Sequence, residues 1–260
     1  MRQRVFSIPA SALFLPTLIE ALHDGKLGFE FAGDPLALAA TTLYLPTRRA
    51  CRLMRDAFLE RLAGDGAILP RIVAIGDIDE DEIAFAESVA GGIAADALEL
   101  RPALGGAERR LLLTRLVMAW AQSPEVRGLS GTPLVAQTPA AACALADDLA
   151  RLMDDMTTRN VPWSRLDELV PDEFDAFWQL TLRFLQIARQ NWPKLLDELG
   201  AMDPAARRDA LIRAEAARLS RKSEGPVIVA GSTGSIPATA ELIAIHDAER
   251  ARTRRLSPKS

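Results

Sequence analysis

Two short segments carry the residues best suited to chemistry. In TLYLPTRRACRLMRDAFL, residues 42–59, a run rich in β-branched and aromatic residues ends at Pro46. It delivers Thr47, Arg48 and Arg49 to the point where a helical pattern begins. Open α/β sheets bind ligands at that place, outside the carboxyl ends of their strands. The free amides of a helix start and two guanidinium groups suit a phosphate. The same residues also suit a capped helix start with solvated arginines. The second segment, Gly231, Ser232, Thr233, Gly234 and Ser235, follows the apolar run PVIVA and precedes a helical pattern opening at Pro237. Its amides could cradle a phosphate. The plainer alternative is a tight turn with Ser235 capping the next helix.

Other reactive patterns are missing or have ordinary explanations. The nucleotide-binding pattern GxxxxGK followed by Ser or Thr does not occur. The loop after the first apolar run, PASALFLP, has neither a glycine to wrap a phosphate nor a lysine to reach one. His23 and His246 are the only histidines, and neither stands near a nucleophile in a recognisable pattern. Cys51 and Cys143 form no CxxC or Cys/His cluster, which excludes a structural zinc site on ligand count. Asp77, Asp79, Glu80, Asp81 and Glu82 read as a helix start that favours acids, not as a metal loop. Asp147/Asp148 and Asp154/Asp155 share one face of an amphipathic helix. Trp163, Phe174, Phe177, Trp178, Phe184 and Trp192 read as core aromatics, although stacking on bases is conceivable.

The elements that must position these residues follow from periodicity. Arg4–Ile8, Thr41–Leu45, Arg71–Ile75 and Pro226–Ala230 read as buried strands. Helical patterns run from Pro9 to Leu22, stopped by Gly25, and from Thr47, as cap, to about Ala63. The first part therefore alternates strand and helix, which predicts a parallel sheet. Residues 107–122, 138–158, 173–190 and 204–221 read as long helices, with only a weak strand signal at Leu134 and Val135. The expected organisation is an α/β domain begun by residues 1–100 and a helical insertion over 101–222. The chain returns to the α/β domain over 223–245 and ends in a basic tail over 246–260.

Composition sets the class. Of 260 residues, 49% are hydrophobic and 25% charged, which excludes a disordered chain. No apolar run reaches the roughly 18–20 residues that span a bilayer, so no membrane role is expected. The paucity of cysteine points to a reducing, cytoplasmic compartment. The net charge of −4 argues against a non-specific nucleic-acid coat but leaves room for a local basic groove.

The segment at 42–59 resembles the single-strand-contacting motif Ia of superfamily 1 helicases. VFSIPASALFLPTLIEAL, LPRIVAIGDIDEDE, WQLTLRFLQIARQNWPKLLDELGAMDPAARRDAL and PVIVAGSTGSIPATAEL extend the likeness from about residue 4 to residue 244. In this order they resemble the N-terminal region of the AddB family, the alphaproteobacterial type of double-strand-break repair subunit in AddAB helicase–nucleases.

The resemblance implies a degenerate, superfamily 1-like P-loop helicase fold that has lost ATP hydrolysis, with a large helical insertion. It implies a non-catalytic DNA-binding and scaffold role beside an AddA-type helicase–nuclease subunit, with DNA as a single strand or duplex end. Thr47, Arg48 and Arg49 would contact DNA. Gly231–Ser235 would stand at the position of motif III without its usual Asp and Gln, so DNA backbone contact stays open there. The family's iron–sulfur cluster and nuclease metal site would lie beyond the end of this chain, which is expected to hold no cofactor. IAIHDAERARTRRLSPKS replaces the family's continuing strand, so the chain is expected to be a truncated or frameshifted product, marginally folded without a partner. Two alternatives remain: a helical partner-docking module that touches no DNA, and a nucleotide hydrolase built on Gly231–Ser235.

Overall fold

The computed structural model describes residues 5–28, 35–61, 68–78, 100–124, 126, 138–167, 176–221 and 225–244. The strand signal at Leu134 and Val135, the acids Asp79–Glu82, Phe174 and the basic tail lie outside these residues. The chain divides into two compact units, residues 1–99 with 210–260 and residues 100–209. Residues 210–222, read from sequence as part of the helical insertion, thus group with the sheet.

The first unit is α/β. Its parallel sheet has the order β2-β1-β3, with β1 at Thr42–Leu45, β2 at Arg71–Ala74 and β3 at Val227–Val229. Thr42 lies opposite Arg71 and Val227, and Tyr44 opposite Val73 and Val229. Side chains alternate between the faces of a strand, so Leu43, Leu45, Ile72, Ala74 and Ile228 share one face. That face packs with Leu18, Ile19 and Leu22 of α1 (Phe14–His23) and with Cys51, Met54 and Phe58 of α3 (Arg48–Arg61) in one apolar cluster. Gly25, at φ +68°, lets the chain leave α1 by turning the Lys26 amide back onto the Ala21 carbonyl. The short α2 (Pro35–Ala39) leads into β1.

The expected strand at Arg4–Ile8 is not formed. Arg4 lies outside the described residues, and Val5–Ile8 belong to no strand of the sheet, with Val5 and Phe6 exposed. An apolar run too short to fix its own register depends on a neighbouring strand, and β1 already has one on each side. The 3₁₀ turn Ile75–Asp77 follows β2 directly.

The second unit is helical: α4 (Gly106–Ala121), α5 (Pro139–Thr158), α6 (Ser164–Asp167), α7 (Ala176–Gln186) and α8 (Trp192–Leu199). Thr138 caps α5, its hydroxyl accepting the Ala141 amide at 3.2 Å. Ala142, Ala146, Leu149 and Met153 are small or flexible enough to bring α5 against Leu113 and Val117 of α4. Between α7 and α8 the ladder widens into a π-turn at Ile187–Asn191. Pro193 explains it, because its ring crowds the preceding turn and it has no amide to donate. The helix α9 (Pro204–Arg221) precedes β3, and 237–244 form a last helix, α10.

Buried charge organises this unit's core. Arg109 of α4 donates two hydrogen bonds to Asp154, at 2.8 and 3.1 Å, and a third to Asp203 at 3.0 Å. Asp203 also accepts the Trp192 indole N–H at 3.0 Å. Arg110 holds Asp147 through two bonds. Asp147 and Asp154 therefore serve as anchors for α4 rather than as a merely solvated acidic face. Trp192 is buried core, as its type predicts, and Trp120 meets Phe184 edge to face.

Candidate functional site

The two segments singled out in the sequence meet at one place. β1 ends at Leu45 and β3 at Val229, side by side in the same direction, and the Ala230 amide donates to the Tyr44 carbonyl at 2.9 Å. The chain runs on from β1 through Pro46 and Thr47, and from β3 into Gly231–Ser235. Gly231, at φ +74°, turns so closely over Pro46 that a Cβ there would lie 3.4 Å from the proline ring and 3.6 Å from Phe14 of α1. In the order β2-β1-β3 the carboxyl ends of β1 and β3 stand side by side, at the kind of edge where open α/β sheets take ligands.

Thr47 caps α3, its hydroxyl accepting the Ala50 amide at 3.1 Å and its carbonyl the Cys51 amide. Arg48 and Arg49 open the helix and are exposed, with no acid in its first turn. In the second segment the Ser232 hydroxyl accepts the Gly234 amide at 3.4 Å, so that amide is turned inward. The expected cap at Ser235 is not the one observed. The Ala240 amide bonds the Ile236 carbonyl at 2.8 Å, which makes Ile236 the cap and places Pro237 at the first helical position. Proline tolerates that position because it has no amide to leave unpaired.

Against the opposite face of the sheet lies a charged cluster that sequence reading missed. Glu215 of α9 is fully buried. It accepts the Tyr44 hydroxyl, Arg71 at 2.7 Å, and Arg218 at 2.6 and 2.9 Å. Burial alone pushes the Glu215 carboxyl up. The Arg218 hydrogen bonds and the Arg71 charge outweigh it and hold the carboxyl at about 2. Burial, then the Glu215 charge, raise the Tyr44 hydroxyl, which stays protonated and donates. One terminal nitrogen of Arg71, Nη2, is buried with no partner. The cluster ties α9 to β1 and β2. Its only early signals were a single tyrosine in the whole chain, placed in a strand, and a glutamate inside the apolar stripe of α9.

Among the described residues no group of His, Cys, Asp or Glu could hold a metal ion, and no helix is long and apolar enough to cross a membrane. Cys51, in the first unit, and Cys143, in the second, are free thiols. The chain matches no family model, no curated protein and no solved structure.

Proposed function

We propose that the chain is a non-catalytic DNA-binding and scaffold element of recombinational double-strand-break repair, of the AddB type, working beside an AddA-type helicase–nuclease subunit. On this reading the α/β unit is a degenerate superfamily 1-like helicase domain. The observation that carries the proposal is the meeting of the Thr47–Arg49 and Gly231–Ser235 segments at the C-terminal edge of the sheet. A phosphate chain laid along that edge would meet exposed guanidinium groups at one end and loop backbone at the other. Such contacts position DNA without reading its sequence.

The test is the salt dependence of DNA binding. Each phosphate contact contributes about 0.9 to the log–log slope on duplex and about 0.7 on single strands. Arg48→Ala with Arg49→Ala is expected to lower the slope by roughly twice that amount, with the fold kept by circular dichroism. An unchanged slope refutes the assignment of these arginines. Binding of an AddA-type subunit without any DNA affinity would favour the docking module instead.

A further inference from the structure

We infer that the helical unit carries its own clasp. Residues 101–104, where the chain enters the unit, are fastened to residues 197–207, where it leaves, so that the unit opens as one body whatever the state of the sheet. The inference is independent of the DNA-binding reading.

Entry and exit are joined first by backbone. Ala103 and Met202 form a parallel bridge outside the sheet. In it the Leu104 amide donates to the Met202 carbonyl at 3.1 Å and the Met202 amide to the Pro102 carbonyl at 2.9 Å. Arg101 adds an ion pair with Asp197 of α8 at 2.7 Å, and Arg207 of α9 donates to the Arg101 carbonyl at 3.1 Å. These last two contacts are exposed, and exposed pairs contribute little.

Burial on either side of the bridge secures it. Leu104 and Ala201 belong to the same apolar cluster as Leu113, Val117 and Trp192. Asp203, the next residue after the bridge, is buried. One of its oxygens takes Arg109 and the Trp192 indole, and the other caps α9 by accepting the Ala205 amide at 3.1 Å. All of these partners lie within residues 100–209. Holding together two points so far apart in sequence costs chain entropy, and two peptide hydrogen bonds alone contribute too little to offset it. The buried Leu104, Ala201 and Asp203 supply the rest from inside the unit. The sheet unit is therefore not needed to keep the two ends together.

The test is native-state hydrogen exchange of the full chain. It is read by mass spectrometry on peptides covering 101–105 and 200–204, and on peptides from β1, β3, α4 and α5. Segments that open together exchange together. The clasp peptides are expected to show the protection and the urea dependence of α4 and α5. Tyr44→Phe and Glu215→Gln, both in the sheet unit, should speed exchange of β1 and β3 by about fivefold and about a hundredfold and leave the clasp unchanged. Asp203→Asn should speed the clasp, α4 and α5 together. Where Glu215→Gln does not fold, Tyr44→Phe carries the comparison alone. Clasp peptides that exchange freely in the wild type, or that follow β1 and β3 in either sheet variant, would overturn the inference. So would an Asp203→Asn protein in which the clasp opens without α4 and α5.

Discussion

Glu215 is fully buried and yet ionised, which a protein interior allows only when opposite charge and hydrogen bonds surround the group. Two arginines and the Tyr44 hydroxyl supply them. The carboxyl, ordinarily at 4.5, is held at about 2, a difference worth about 3 kcal/mol of folding stability. Because the folded value is the lower one, that stability is complete above about pH 4.5. It is lost as pH falls toward 2. Urea midpoints measured from pH 7 down to pH 2 should therefore drop steeply across that window. Glu215→Gln should start roughly 3 kcal/mol lower at pH 7, since it leaves two buried cations without their anion, and should give a flatter profile. Tyr44→Phe removes one hydrogen bond and should cost about 1 kcal/mol. A Glu215→Gln profile as steep as wild type would show that other carboxylates govern the acid transition.

At the scale of elements, close backbone approach decides which residues are replaceable. A Cβ on Gly225 would stand 2.1 Å from the Ala40 carbonyl oxygen, a backbone atom that cannot swing away. Gly225→Ala should cost roughly 1–3 kcal/mol by forcing the entry to β3 away from the entry to β1. Gly76→Ala, with nothing within 4 Å, should stay within about 0.5 kcal/mol in the same chemical melts. Thr47→Ala, which removes the α3 cap, should cost about 1 kcal/mol, and Thr47→Ser much less. These elements were legible wherever the signal was local: β1, its proline stop, the Thr47 cap and the long helices of the second unit all stand close to where periodicity and cap chemistry put them. Arg4–Ile8 misled because an apolar run states that it wants burial, not which strand it will pair with. The Tyr44, Arg71, Glu215 and Arg218 cluster was illegible for a related reason. Its hydrogen-bonded pairs are 27 to 171 residues apart except for Glu215 and Arg218, so only the folded chain joins them. The adjacency of the two candidate segments is likewise a property of strand order, which sequence alone does not state.

For the whole molecule, each unit has its own core and its own buried charge network, and neither network draws a residue from the other unit. The sheet unit is the weaker by construction. Among the described residues its sheet has three strands, β2 and β3 form its two edges, and β3 is three half-buried residues long. The helical unit closes its apolar cluster with Arg109, Asp154, Asp203 and Trp192 joined by hydrogen bonds around it. Scanning calorimetry of the intact chain should therefore resolve two transitions, with the sheet unit melting first. Each can be identified by a substitution internal to one unit. Glu215→Gln should lower the first transition by on the order of 10 °C and leave the second in place. Asp203→Asn strips the charge that holds Arg109 and Trp192, and should lower the second alone. A single transition moved by both substitutions would mean that the units unfold as one. Two transitions sorted in this way would show that the helical unit persists when the β1–β3 edge of the sheet is lost, so any partner affinity that survives above the first transition would belong to residues 100–209.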